Sequence, residues 1–135
     1  MSVEFVDTNV MVYAFTTDAR TDRALAILES GPVISVQCLN EFAHVARRKL
    51  TMDWPNVLRS LGAIRRLCSK VVPIDLGIHE EALRIAERYG YRMFDSLIVA
   101  SALQAQSETL WSEDIQDGIV IDGRVIIANP FRKEG

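Results

Sequence analysis

Cysteine is nearly absent: the 135 residues hold only Cys38 and Cys68. Two cysteines so placed form neither a metal-ligand spacing nor a disulfide framework. The opening Met-Ser-Val-Glu-Phe-Val-Asp has no basic patch and no apolar stretch of the kind that directs secretion. Both cysteines therefore read as reduced core thiols of a cytoplasmic protein. No apolar run approaches the ~18 residues that would span a membrane. Internal repeats, low-complexity tracts and Gly/Ser linkers are also missing. Basic residues are not in excess, 15 against 18 acidic ones for a net charge of −3. A simple cationic nucleic-acid binder usually shows the opposite balance.

What is present is ordinary globular composition, 49% apolar and 24% charged, which excludes a disordered chain. The length suits one domain over residues 1–135. Short β-branched runs alternate with helix-like segments, the pattern of an α/β fold with a mainly parallel sheet. Strands are expected at Val3–Val6, Val33–Val36, Val71–Ile74 and Thr109–Trp111, with Pro73 marking an edge or a strand end. Thr21 or Asp22 can cap a helix that Gly31-Pro32 stops. A second helix shows a stripe at Leu39, Phe42, Ala43, Ala46 and Leu50. Asp53 and Pro55 open a third, with Leu58, Leu61, Ile64 and Leu67 on or beside its buried face. A fourth carries Ile78, Ala82, Ile85, Ala86 and Tyr89, and Gly90 ends it. Phe94–Ala105 is apolar almost all round, as in a helix buried in the core or shared with a second subunit. Asp122-Gly123 makes a hairpin of Ile119–Ile121 and Val125–Ile127. The expected architecture is a three-layer α/β sandwich, a mainly parallel central sheet flanked by helices.

Ligands of such sheets sit beyond the carboxyl ends of the strands, and acids fall there. Asp7 follows the first strand, and Glu41 lies in the first turns of the helix after the second. Asp114 follows Thr109–Trp111, with Asp117 close behind. Asp95 starts the apolar helix and can reach the same edge. Singly, each has an ordinary explanation as turn residue, cap or solvated side chain; the argument is their joint placement. Four carboxylates together repel and raise one another's pKa unless neutralised. No lysine or arginine adjoins Asp7, Asp95 or Asp114 in sequence. A hard divalent cation, Mg²⁺ or Mn²⁺, is the natural counter-charge, and such a site suits phosphodiester hydrolysis. If four acids hold metal, the remainder of the −3 chain carries +1, so the charge balance does not exclude a nuclease. Thr8 and Ser112 can orient carboxylates or water around the ion; Ser96 reads as a capping hydroxyl.

Phe5-Val6-Asp7-Thr8-Asn9-Val10, Asn40-Glu41, Phe94-Asp95-Ser96-Leu97-Ile98 and Trp111-Ser112-Glu113-Asp114 together resemble the PIN-domain family. Within it, the VapC toxins of bacterial toxin–antitoxin pairs look closest. The tail from Gln116-Asp117-Gly118 through Asp122-Gly123 to Asn129-Pro130-Phe131 is similar to one VapC subgroup. The resemblance covers essentially the whole chain. It implies a PIN-like fold and a Mg²⁺-dependent RNA endonuclease, Mn²⁺ substituting, usually dimeric and inhibited by an antitoxin. Carried over, the catalytic and metal-site acids are Asp7, Glu41, Asp95 and Asp114. Asp117 joins the metal set only where the family places an acid at that position.

Other residues are read from placement alone. Arg47, Arg48 and Lys49 form the densest basic run, suited to RNA phosphates and equally to a helix end. His44, outside the motif, reads as an exposed structural histidine. Arg84 and Arg88, alternating with Glu80 and Glu87, look like a salt-laced surface. Trp54 and Trp111 read as packing residues. A phospho-signalling receiver would need adjacent acids after the first strand and a late lysine. A haloacid-dehalogenase-type phosphatase would need Asp where Asn9 stands. A non-catalytic RNA- or protein-binding module on the same fold stays open, because fold does not fix function.

Overall fold

The computed structural model describes residues 2–132. Its elements run β1 (Glu4–Val6), α1 (Thr8–Ala14), α2 (Thr21–Glu29), β2 (Val33–Ser35), α3 (Val36–Arg48), α4 (Trp54–Leu67) and β3 (Lys70–Val72), followed by α5 (Leu76–Tyr89), α6 (Met93–Gln104), β4 (Thr109–Trp111), β5 (Val120–Ile121) and β6 (Val125–Ala128). The six strands form one sheet in the order β3-β2-β1-β4-β6-β5. All neighbours are parallel except β5 and β6. This is the expected α/β architecture, a mainly parallel sheet flanked by helices.

The strand order fixes where a ligand can sit. From β1 the chain builds outward to β2 and β3 on one side, then returns to add β4 on the other. The crevice beyond the carboxyl ends of β1 and β4 is therefore the topological switch point. There the Asp7 amide donates to the Trp111 carbonyl at 2.9 Å. Phe5, Val6, Ile34, Leu110 and Ile127 fill the sheet's interior faces and are fully buried. Pro73 stands just past β3, an edge strand that needs no amide there.

Local signals act largely as read. Asp53 caps α4 by accepting from the Asn56 amide at 2.9 Å, and Gly90 ends α5 with φ +74°, a conformation glycine adopts without penalty. Asp122 and Gly123 both take positive φ in the three-residue connection of the hairpin, where the Arg124 amide donates to the Ile121 carbonyl at 2.9 Å. Three features differ. A helix, α1, starts at once after Asp7, whose side chain accepts from the Thr8 amide. α2 has no side-chain cap, because Thr21 Oγ1 is spent on the Thr16 carbonyl and the Asp18 amide. On α4, Ile64 is buried and Leu61 and Leu67 pack against the core as expected, but Leu58 is 65% exposed and Val57 is buried in its place.

α6 buries Ser96 and Ile98–Leu103 within this chain. Its apolar composition is thus explained by the chain's own core. Cys38 and Cys68 are both free and buried. No helix among the described residues is long and apolar enough to cross a membrane.

Candidate active site

A cleft of about 960 Å³ opens at the carboxyl edge of the sheet, and Asp7, Glu41, Asp95 and Asp114 all line it. Asp7 is its floor, only 5% exposed. One carboxylate oxygen, Oδ1, caps α1 by accepting from the Thr8 amide at 2.7 Å. The other, Oδ2, accepts from Ser112 Oγ at 2.8 Å. Burial pushes the Asp7 carboxyl up to about 7, against the opposing pull of those two hydrogen bonds; the charges of Glu41 and Asp114 push it further up.

The other acids are held around it. Thr8 Oγ1 donates to Glu41 Oε2 at 2.6 Å, and Gln37 Nε2, one turn before Glu41 on α3, donates to Oε1 at 2.8 Å. The same Gln37 nitrogen also donates to the Phe94 carbonyl, which ties α3 to the start of α6 beside Asp95. Asn9 Nδ2 donates to Asp114 Oδ2 at 3.1 Å and reaches Asp7 Oδ2 at 3.4 Å. Asn9 Oδ1 accepts from the Glu113 amide, so one side chain fixes the loop that carries Asp114. Asp95 lies in the first turn of α6, whose cap position is Arg92, and so it is not the cap. Arg92 Nε donates to Asp95 Oδ2 at 3.2 Å, a cation three residues upstream that direct adjacency in sequence overlooks. Ser96 is buried and its hydroxyl has no partner, so it caps nothing.

Asp117 stands apart. It is absent from the cleft wall and accepts from the Asn129 amide at 2.8 Å and Arg132 Nη1 at 2.6 Å. Those two contacts hold its carboxyl below the usual carboxylate range, the amide contributing most. Its place is in joining the loop after β4 to the segment after β6, not with the four acids.

The basic run splits. Lys49 lines the cleft, as does His44. Arg47 instead donates to the Met52 carbonyl and lies over the Trp54 ring, 4.7 Å from its centroid. Arg48 is exposed beside them. Trp54 is 55% exposed, not a packing residue, whereas Trp111 is half-buried with its indole nitrogen unpartnered.

A further group, with Tyr13 itself on the cleft wall, braces the loop that carries Asp114. Tyr13 Oη donates to Glu113 Oε1 at 2.6 Å. Arg20 Nη1 pairs with Glu113 at 3.1 Å, stacks on the Tyr13 ring at 4.0 Å and also pairs with Asp18. Nothing in the local sequence marks Tyr13, Arg20 or Gln37. Glu113 lies 100 residues from Tyr13 and 93 from Arg20, and the Phe94 carbonyl 57 from Gln37, so only the topology brings these contacts together.

Carboxylate, amide and hydroxyl oxygens are the donors a hard divalent cation prefers. The floor acid is buried without a cation in contact, and the one arginine touching an acid of the set is at the rim, its side chain 80% exposed. Among the described residues, no three His, Cys, Asp or Glu side chains converge closely enough to enclose an ion. That arrangement fits Mg²⁺, which keeps several waters and takes one or two carboxylates plus substrate phosphates. It does not fit a stripped ion in an all-protein cage.

Fold and cleft together define an α/β protein with an acidic site at the switch point of a parallel sheet. The chain belongs to the PIN domain family, whose profile matches residues 5–116. Its fold is shared with VapC20 of Mycobacterium tuberculosis, described as a sarcin–ricin loop cleaving toxin. That match has a TM-score of 0.66 at 21% identity, over 82% of this chain and 91% of that one. A toxin–antitoxin complex from Klebsiella pneumoniae superimposes with a TM-score of 0.72 at 22% identity, over 98% of this chain and 100% of that one. VapBC2 of Rickettsia felis, solved with a DNA fragment from its promoter, gives 0.68 at 19% identity, over 94% and 98%. No curated protein matches in sequence.

Proposed function

We propose that this protein is a metal-dependent endoribonuclease, the toxin of a VapBC-type toxin–antitoxin pair, with residues 1–135 acting as one nuclease domain. The observation that carries the reading is the meeting of Asp7, Glu41, Asp95 and Asp114 on one open cleft. Membership of the PIN domain family and the fold shared with toxin–antitoxin proteins support it.

Asp7, Glu41, Asp95 and Asp114 would share a hydrated Mg²⁺, one or two of them directly and the others through its waters, with Mn²⁺ able to substitute. The bound ion supplies an activated water and a counter-charge for the phosphoryl oxygens. The chain's residues do the positioning. Ser112 and the Thr8 amide fix both oxygens of Asp7, Thr8 and Gln37 fix both oxygens of Glu41, and Asn9 holds Asp114 toward Asp7. Such supporting contacts keep a site's geometry before the ligand arrives. Lys49 and Arg92 put positive charge on the cleft wall where RNA phosphates enter. Arg47 and Arg48 extend it outward. An antitoxin that occludes the cleft, a homodimer and a cytoplasmic location complete the reading. The dimer rests on the family resemblance, since Ile98–Leu103 of α6 are covered by their own chain and only Phe94 of its apolar residues is largely exposed.

The test is incubation of the purified protein, free of any co-purifying partner, with a fluorescent mixed-sequence RNA in Mg²⁺, in Mn²⁺ and in chelator, beside Asp95→Asn. Cleavage that needs metal and vanishes in the variant is the expected result. The competing reading is the non-catalytic RNA- or protein-binding module, which the shared fold by itself leaves open. No cleavage, with no metal-induced rise in melting temperature, would decide for that module.

A further inference from the structure

Charge is distributed very unevenly along this chain. Residues 42–74 contain seven cations (Arg47, Arg48, Lys49, Arg59, Arg65, Arg66 and Lys70) against one acid, Asp53. The rest contains eight cations against seventeen acids. The basic segment is the end of α3, all of α4 and β3, so it is one structural unit on one flank of the fold.

α4 has no acid at all. Its outer face presents Leu58, Arg59, Arg65 and Arg66, all exposed, and the Arg66 guanidinium lies across Gly62. Lys70 is exposed on the edge strand that follows. Among the described residues none of Arg48, Lys49, Arg59, Arg65, Arg66 or Lys70 is in an ion pair. α5 is the contrast. Its Arg84 pairs with Glu81 and Asp122, and Arg88 pairs with Asp122. Basic residues in a last turn suit a helix's own dipole, which explains Arg65 and Arg66 but not Arg59 at mid-helix or Lys70 in a strand. Unpaired like charges held close together cost free energy, and a polyanion is the partner that turns that cost into attraction.

The patch is continuous with the cleft. Lys49 lines the cleft at the end of α3, and Arg47 leads from there onto Trp54 at the start of α4. From Trp54 the helix runs 14 residues, about 20 Å at 1.5 Å per residue. A strand lying in the cleft would continue over an exposed indole and then along a row of guanidinium groups. Aromatic rings stack bases and arginines hold phosphates irrespective of sequence.

We infer that α4, with Trp54 and Lys70, is a second RNA-binding surface, which holds the phosphate backbone of an RNA longer than the cleft. This deepens the nuclease reading and rests on it for the choice of polyanion. The test is Arg59→Gln/Arg65→Gln/Arg66→Gln in the full chain, assayed in chelator so that RNA stays intact. Fluorescence anisotropy is read for a stem–loop with a long single-stranded tail and for an oligonucleotide no longer than the cleft, across a salt series. The long RNA is expected to bind on the order of 10–100-fold more weakly near 0.1 M salt, with the slope of log K against log salt flattened by about 2. The short one is expected to bind unchanged, and the triple Lys variant to bind the long RNA as the parent does.

Unchanged binding of the long RNA would overturn the inference and leave the face to an acidic protein. Equal weakening of both RNAs would also overturn it, since α4 would then act through the cleft. If the triple variant does not fold, Arg59→Gln and Arg66→Gln are measured singly, each expected to flatten the slope by about 0.7. Because binding is read without metal, the outcome is separate from the cleavage test. A protein that never cuts can still show the loss, and one that cuts can lack it.

Discussion

The most demanding prediction concerns Asp7 in the metal-free protein. Its carboxyl is raised from an ordinary 3.8 to about 7, chiefly because it is buried. The native state therefore binds its proton more tightly than the unfolded chain does. By linkage, Asp7 favours folding while protonated, and that contribution is intact below pH 3.8. It is lost progressively as pH rises to about 7, where the loss levels off at about 4 kcal/mol. Asp7→Asn mimics the neutral acid and escapes this loss. It forfeits one acceptor toward Ser112, whose hydroxyl already accepts from the Asp114 and Ile115 amides, at about 1 kcal/mol. In chelator, Asp7→Asn is therefore expected to be about 3 kcal/mol more stable than the parent at pH 7–8 and no more stable at pH 4. Urea unfolding of both proteins at pH 4, 5, 6, 7 and 8 measures the difference, since titrating groups remote from Asp7 cancel. A difference that stays constant across this range would refute the reasoning, because it would mean that Asp7 ionises as easily folded as unfolded.

Three further outcomes follow from the same coordinates. Adding Mg²⁺ at pH 8 should raise the melting temperature of the parent, by the equivalent of about 2.7 kcal/mol at a hundredfold excess over Kd; a differential scan showing the same rise in Asp7→Asn would remove Asp7 from the ion's ligands. Tyr13→Phe should lower RNA cleavage several-fold through kcat while leaving KM near the parent value, because Glu113 loses the 2.6 Å phenol contact that steadies its loop beside Asp114; a pure KM effect would place Tyr13 on the substrate instead. Burial pushes the thiols of Cys38 and Cys68 up to about 12 and about 11, so a thiol reagent at pH 8 should label neither within the time that denatured protein is labelled fully, and prompt labelling would show that the core around them opens.

The fold was legible wherever one residue type forces one conformation. Gly90 and Asp122-Gly123 mark positive-φ positions, and Asp53-Trp54-Pro55 marks a helix start, so those boundaries follow from local chemistry. α1 was not legible. Its sequence Thr-Asn-Val-Met-Val-Tyr-Ala is rich in β-branched residues that favour strands, and it is helical because Asp7 caps it and because Val10 and Met11 bury themselves. The four acids of the cleft could be picked out because strand ends in a parallel sheet share one edge. Their supports could not. Gln37, Asn9 and Tyr13 are ordinary polar residues until the fold sets them against Glu41, Asp114 and Glu113, and the distances in sequence range from 4 to 105 residues. Asp117 shows the converse, since a strand-end acid close to Asp114 in sequence is claimed by Arg132 and the Asn129 amide.

A net charge of −3 is a poor guide to what this molecule meets. Four of the eighteen acids line the cleft, and its floor is so buried that Asp7 resists ionising. Seven of the fifteen cations lie between residues 42 and 74, and of these only Lys49 lines the cleft. If the same fifteen basic residues were dispersed among the acids, as Arg84 is between Glu81 and Asp122, they would form surface ion pairs worth little to stability and would leave no field for a polyanion. Segregation leaves two regions of opposite sign that cancel only in part, an acidic cleft and a basic flank. The long-range field of a protein depends on where its charges stand, and here that placement offers a polyanion a basic face despite an acidic total.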